Sequence, residues 1–188
     1  EDNSILRISL SGTISDRASS NPWAILLGND LAEQQGLDDM IKAIKVASED
    51  EDIKGIYIEG GMLQSDFATL QELRKALLDF KESEKFIIAY GENYTQGAYY
   101  VASVADKVLV NPSGMVDWHG LAAQPVFYKD LMEKVGVKMQ IFRVGTYKSA
   151  VEPYMLSGMS PANREMTQSM LNNLWGNICK EVSASRHI

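Results

Sequence analysis

Short apolar strands alternate with amphipathic helices from residue 5 to residue 110, and this alternation limits the fold more than any other feature of the chain. Residues 5–10 alternate apolar and polar side chains strictly and read as a strand. Residues 36–48 carry Leu37, Met40, Ile41 and Ile44 close to helical spacing, with Asp38 and Asp39 at the positive end of the helix dipole. A strand over 53–58, a strongly amphipathic helix over 66–78 and a strand over 86–90 follow. Residues 94–105 are helical again and rich in small side chains, and 107–110 form a further strand. Strands separated by helices pair in parallel, because each crossover returns the chain to the same end of the sheet. The fold class is therefore α/β. The recurrence of strand, glycine turn and helix resembles a spiral of β-β-α units more than a plain open sheet.

The remaining segments are less regular. Residues 11–14 continue the first strand or turn out of it. Residues 16–30 are rich in Ser, Asn and Gly, with Trp23, Ile25, Leu26 and Leu27 among them, and read as a loop carrying an apolar patch. Asn111, Pro112, Ser113 and Gly114 are a turn signal. Residues 116–126 look strand-like around His119 and Gly120, residues 127–135 helical, and residues 138–144 a strand. Ser160 before Pro161 marks a helix start, with the serine at the cap and the proline in the first turn. Met166, Met170, Leu174, Ile178 and Val182 then recur every four residues along a terminal helix expected to dock on the core. No linker or low-complexity tract interrupts the chain, so residues 1–188 read as a single domain.

Charge and cysteine content exclude several function classes. A net charge of −7 argues against nucleic acid, which calls for basic patches. The sequence holds no apolar run long enough to span a bilayer. The single cysteine, Cys179, makes no internal disulfide and sits in an apolar helical pattern. The two histidines, His119 and His187, lack metal-ligand spacing, and neither a metal nor a cofactor is expected. The chain opens on Glu1, Asp2 and Asn3 without a methionine, and the expectation is a fragment of a longer protein from which an anchor or signal has been removed.

Three stretches carry candidate chemistry. Gly60 and Gly61 follow an apolar strand and precede a helix, an arrangement that frees backbone N–H groups for an oxyanion or a phosphate, or serves as a structural turn. Neither dinucleotide nor P-loop spacing is present. At 91–100 (GENYTQGAYY) a strand hands over to a helix, as in a nucleophile elbow, but the apex residue is Gln96, which cannot attack. Thr95 beside it suits a helix cap. At 142–153 (FRVGTYKSAVEP) a strand leads through a glycine turn to Lys148. Set among small and apolar residues, this lysine reads either as an ordinary surface lysine or as a desolvated base.

Those two motifs, with VDWHG at 116–120, resemble the bacterial signal peptide peptidase A family, also called protease IV. The resemblance runs from the first strand to the last helix and is strongest to the amino-terminal half of the long, two-domain form. It implies the Clp protease/crotonase-like spiral of β-β-α units and serine peptidase chemistry with a Ser–Lys dyad. The family's general-base lysine falls on Lys148. Aligning Tyr99 and Tyr100 with the family's Tyr-aromatic pair places Gln96 at the serine position, so the nucleophile is expected in a carboxy-terminal catalytic domain. Gly60 and Gly61 match the family's oxyanion glycines but lack the usual serine-proline before them.

The resemblance further implies signal peptides as substrates, a homo-oligomer, and a membrane anchor outside these residues. The implied location is the inner membrane, with the domain on the periplasmic side. A lysine base must be neutral near pH 7, well below the ordinary lysine value of about 10.4, and burial against a neighbouring domain is a physical route to that. Glu152 complicates the site, although Pro153 disfavours helical geometry at Glu152 and predicts that the two side chains point apart. Two other readings stand beside this one. The first is a non-catalytic domain for oligomerisation or peptide binding. The second is an acyl-CoA enzyme, for which Glu59 and Glu92 are the nearby carboxylates.

Overall fold

The computed structural model describes residues 3–17, 35–140 and 148–188. The loop expected over 16–30 lies outside them except for Asp16 and Arg17. Two compact units are present: Glu1–His119 with Glu181–Ile188, and Gly120–Lys180.

The first unit is a parallel sheet covered by helices. Its strands are β1 (Ser4–Ser15), β2 (Gln35–Gly36), β3 (Ile53–Gln64), β4 (Phe86–Tyr94) and β5 (Lys107–Val116), in the spatial order β2-β1-β3-β4-β5. Every pairing is parallel, as the alternation requires. Crossovers are made by α1 (Leu37–Glu49), α2 (Phe67–Lys81) and α3 (Gln96–Ala102). This α/β architecture fits the fold that the sequence implies.

The core follows from residue spacing. In α2, Leu70, Leu73, Leu77 and Phe80 recur at three- and four-residue steps and are all buried. They join Leu10, Ile56, Ile58, Ile87 and Ala89 from the strands, also buried. Each large side chain of this kind contributes about 1.5–3 kcal/mol relative to exposure. Asp66 starts α2 by accepting a hydrogen bond from the Thr69 backbone N–H at 2.9 Å. Thr95 starts α3 in the same way, through the Ala98 N–H.

The strands run further than their apolar cores. β3 passes through Gly60 and Gly61 to Gln64, so the turn expected at the glycine pair is absent. Gly60 pairs with Leu10 on one side and Gly91 on the other. The register then slips: Leu10 pairs with Gly60 and Gly12 with Leu63, which leaves Gly61 and Met62 opposite Ser11 as a bulge. Glycine is required at 60 by packing. A Cβ there would overlap the Tyr94 ring, and one at Gly91 would lie 2.9 Å from the same ring. Tyr94 is buried across both glycines, donates to the Leu109 carbonyl at 3.1 Å, and has its phenol pushed up to about 12, chiefly by burial. β5 absorbs residues 111–114 as an excursion opposite Glu92, closed by the Asn111 side chain accepting from the Ser113 N–H. The expected turn is therefore present, but inside a strand.

Other elements also differ from expectation. Residues 117–128 hold no strand. The helix expected over 94–105 is the shorter α3, because Tyr94 belongs to β4 and Ser103 caps the end.

The second unit contains α4 (Lys129–Lys134), a 3-10 turn (Ser149–Val151), α5 (Glu152–Met155) and most of α6 (Pro161–Arg186). The strand expected over 138–144 is absent at 138–140, and 141–144 lie outside the described residues. α6 begins where expected, with the Ser160 hydroxyl accepting from the Asn163 N–H at 3.1 Å. Its apolar stripe is buried at Ile178 and Val182 but exposed at Met166 and Met170.

Candidate functional site

In the first unit the structure joins two stretches that are distant in sequence. The Gly61 carbonyl accepts a hydrogen bond from the Thr95 N–H at 3.4 Å, and the Thr95 hydroxyl donates to the Leu63 carbonyl at 3.0 Å. The bulge in β3 and the start of α3 are thus one piece of structure. Gln96 is the first residue of α3 and is buried.

The Gln96 side chain is engaged. Its Oε1 accepts from the His119 backbone N–H at 3.2 Å and faces His119 Nδ1 at 3.1 Å. The backbone donor fixes the amide's orientation, and an oxygen opposite Nδ1 requires the proton on Nδ1. His119 Nε2 lies 3.9 Å from Asp117 Oδ2. Trp118 packs edge-on against Tyr99 with ring centroids 5.4 Å apart. The VDWHG motif therefore wraps the start of α3, and Gln96 anchors it. His119, which lies in a stretch that reads as strand-like in the sequence, is the partner of the elbow glutamine. Their separation of 23 residues left no local signal.

Lys148 belongs to the second unit, is exposed, and occupies the cap position of the 3-10 turn Ser149–Val151. The Glu152 backbone N–H closes that turn on the Ser149 carbonyl. Glu152 itself adopts helical angles, φ −57° and ψ −37°, against the extended geometry expected before Pro153. Its carboxylate is buried. Oε1 accepts from the Ser160 hydroxyl at 2.6 Å, and Oε2 accepts from the Ser160 N–H at 3.2 Å and Asn163 Nδ2 at 2.9 Å. These bonds, together with burial, hold the helical geometry against the proline's preference.

A buried cation was missed by sequence reading. Arg74 is 2% exposed and donates to the Tyr100 carbonyl at 2.5 Å, Ser103 Oγ at 2.7 Å, the Glu181 carbonyl at 2.8 Å and Ser185 Oγ at 2.6 Å. The Tyr100 hydroxyl donates to the Glu181 carboxylate. Burial and then Glu181 push that phenol upward. The signal was present: Leu70, Leu73, Arg74 and Leu77 share one helix face, so the arginine stands on the apolar stripe. This cluster ties the end of α6 to α2 and α3.

Of the other candidates, Glu59 is taken up by Arg7, whose Nε donates to it at 3.1 Å. Among the described residues no group of three or more His, Cys, Asp or Glu could hold a metal, and no helix is long and apolar enough to cross a membrane.

The family model described as Peptidase family S49 matches residues 79–188, which include Gln96, His119, Lys148 and Glu152. The chain belongs to peptidase family S49. The resemblance drawn from the motifs is thereby shown. Among curated relatives, Protease 4 of Salmonella typhi is 40% identical over 97% of this chain and 31% of its own length. Protease 4 of Haemophilus influenzae is 40% identical over 80% of this chain and 25% of its length. The chloroplastic serine protease SPPA of Arabidopsis thaliana is 31% identical over 96% and 25%. The chain therefore spans a third or less of the length of these relatives.

Proposed function

We propose that this chain is the lysine-bearing part of a serine peptidase that degrades cleaved signal peptides through a Ser–Lys dyad. Lys148 is the general base, and the serine comes from a carboxy-terminal domain outside these residues. Neutral Lys148 accepts the proton of the serine hydroxyl as the oxygen attacks the peptide carbonyl. The proton then passes to the leaving amine, and water repeats the sequence on the acyl-enzyme. The observation that carries the reading is the Lys148 motif, FRVGTYKSAVEP, within the stretch matched by family S49. The burial of Gln96 under His119 supports an inactive elbow, since its carbonyl oxygen already accepts two bonds and offers no nucleophile.

In this reading Gly60 and Gly61 are a retained but unused oxyanion stretch, consistent with their place inside a strand and bulge. Residues 1–188 act as one functional domain of a homo-oligomer anchored in the inner membrane and facing the periplasm. The test is peptide hydrolysis. Lys148→Ala in the full-length protein abolishes turnover, and the isolated chain has none. Unchanged turnover in the variant, or serine-type turnover by the isolated chain, overturns the proposal. A second reading, a non-catalytic oligomerisation or peptide-binding domain, is favoured by the exposure of Lys148 in this chain. It predicts full activity for Lys148→Ala.

A further inference from the structure

We infer that Glu152 is a positioning residue for Lys148, fixing the turn that carries the lysine to the first turn of α6; this rests on the reading of Lys148 as the base. Within the second unit the connections form a continuous path. Lys148 occupies the cap position of the 3-10 turn, and the Glu152 N–H closes that turn on the Ser149 carbonyl. The Glu152 carboxylate then holds Ser160, through both hydroxyl and N–H, and the Asn163 side chain. The loop from 152 to 160 is thereby closed at its base. The lysine's backbone inherits the orientation of a long helix rather than that of a short turn.

Helix capping alone does not account for this carboxylate. α6 already has a side-chain cap, because Ser160 Oγ accepts from the Asn163 N–H, and Pro161 opens its first turn. Burying a carboxylate costs free energy that a neutral side chain of similar size avoids. The carboxyl group stands at a position that favours extended backbone before proline, yet the residue is helical. Glu152 therefore specifies a geometry that local preference opposes, and the residue at the other end of that geometry is Lys148. Ser157, whose hydroxyl donates to Asp130 Oδ1 at 2.6 Å, holds the same loop to α4.

Steady-state kinetics of the full-length protein on a peptide substrate test the inference. Glu152→Ala lowers kcat roughly tenfold or more while KM stays within about twofold, because the base is misplaced and the substrate contacts are not. Glu152→Gln restores most of kcat, since its amide oxygen can take the place of Oε2 and accept from the Ser160 N–H and Asn163 Nδ2 while its NH2 group donates to Ser160 Oγ. If Glu152→Ala does not fold, Ser160→Ala removes one donor and lowers kcat in the same direction. A Glu152→Ala kcat within about twofold of the parent, or a Glu152→Gln variant as impaired as Glu152→Ala, overturns the positioning role. Lys148→Ala run in parallel separates the two ideas. Activity retained there removes the base itself. Activity lost there but kept in Glu152→Ala removes only the role of Glu152.

Discussion

The two units of the chain are held together by different physics. The sheet unit buries a broad set of Ile, Leu and aromatic side chains from strands and helices alike. Within residues 120–180, by contrast, the buried side chains among the described residues are Ile178 and Glu152, and α4 buries none. Polar and aromatic ties serve there instead. Glu152 joins Ser160 and Asn163, Ser157 joins Asp130, and Tyr128 stacks on Tyr154 with centroids 5.9 Å apart. The Tyr128 N–H also donates to the Pro153 carbonyl at 2.7 Å. Non-directional burial tolerates small displacements, whereas hydrogen bonds specify distance and angle. Among the described residues of 120–180 the ties are thus more directional than those of the sheet unit.

The largest effect expected from breaking this contrast is at Arg74, a buried polar cluster inside the sheet unit. Arg74→Ala leaves a buried space at the guanidinium and removes the donor to the Tyr100 and Glu181 carbonyls and to the Ser103 and Ser185 hydroxyls, and costs about 3–5 kcal/mol in urea unfolding. A loss below about 1 kcal/mol would mean that apolar burial alone holds the unit. Truncating the same residue type in both units comes next. Leu77 is fully buried and Leu131 is 60% exposed. Leu77→Ala is expected to cost about 2–5 kcal/mol and Leu131→Ala about 0.5 kcal/mol or less. Equal losses would show that residues 120–180 have a core of their own.

Gly60→Ala tests the tightest packing in the sheet. The new methyl meets the Tyr94 ring, and the expected loss is about 1–3 kcal/mol, eased in the double variant with Tyr94→Leu. Loss unchanged by the second substitution would place the strain in the backbone instead.

The smallest effect is with pH. Burial alone would raise the Asp106 carboxyl, but the Lys81 ammonium at 2.8 Å, the Ile87 N–H at 2.8 Å and Arg186 outweigh it and hold the group below the usual carboxylate range. The Thr69 N–H lowers Asp66 in the same way. A carboxyl depressed in the folded state stabilises it above the unfolded value of about 3.9, and that contribution is lost as pH falls through the folded value. The urea midpoint of the sheet unit should therefore be flat above about pH 5 and decline below about pH 4. Asp106→Asn should make that decline shallower, and an unchanged acid limb would remove Asp106 from the account.

Much of this molecule is legible in the order of its residues. Alternating strands and helices require a parallel α/β sheet, because each crossover fixes the direction of the next strand. Asp66 and the Ser160–Pro161 pair mark helix starts through local bonds spanning three residues. The motifs around Gln96 and Lys148 identify the family, since they are read as strings. What lies beyond local reach was settled by tertiary structure. Gly60 and Gly61 looked like a turn because glycine permits turns, yet neighbouring strands satisfy their backbone and Tyr94 occupies the space that side chains would fill. His119 meets Gln96 only once β4, α3 and β5 are stacked. Glu152 becomes helical before a proline because three donors from the start of α6 converge on its carboxylate. Sequence alone determines periodicity, caps and family here, because those rest on neighbours along the chain. The bulge and the burial of Arg74 and Glu152 depend on partners brought together by packing, and only the folded chain supplies them.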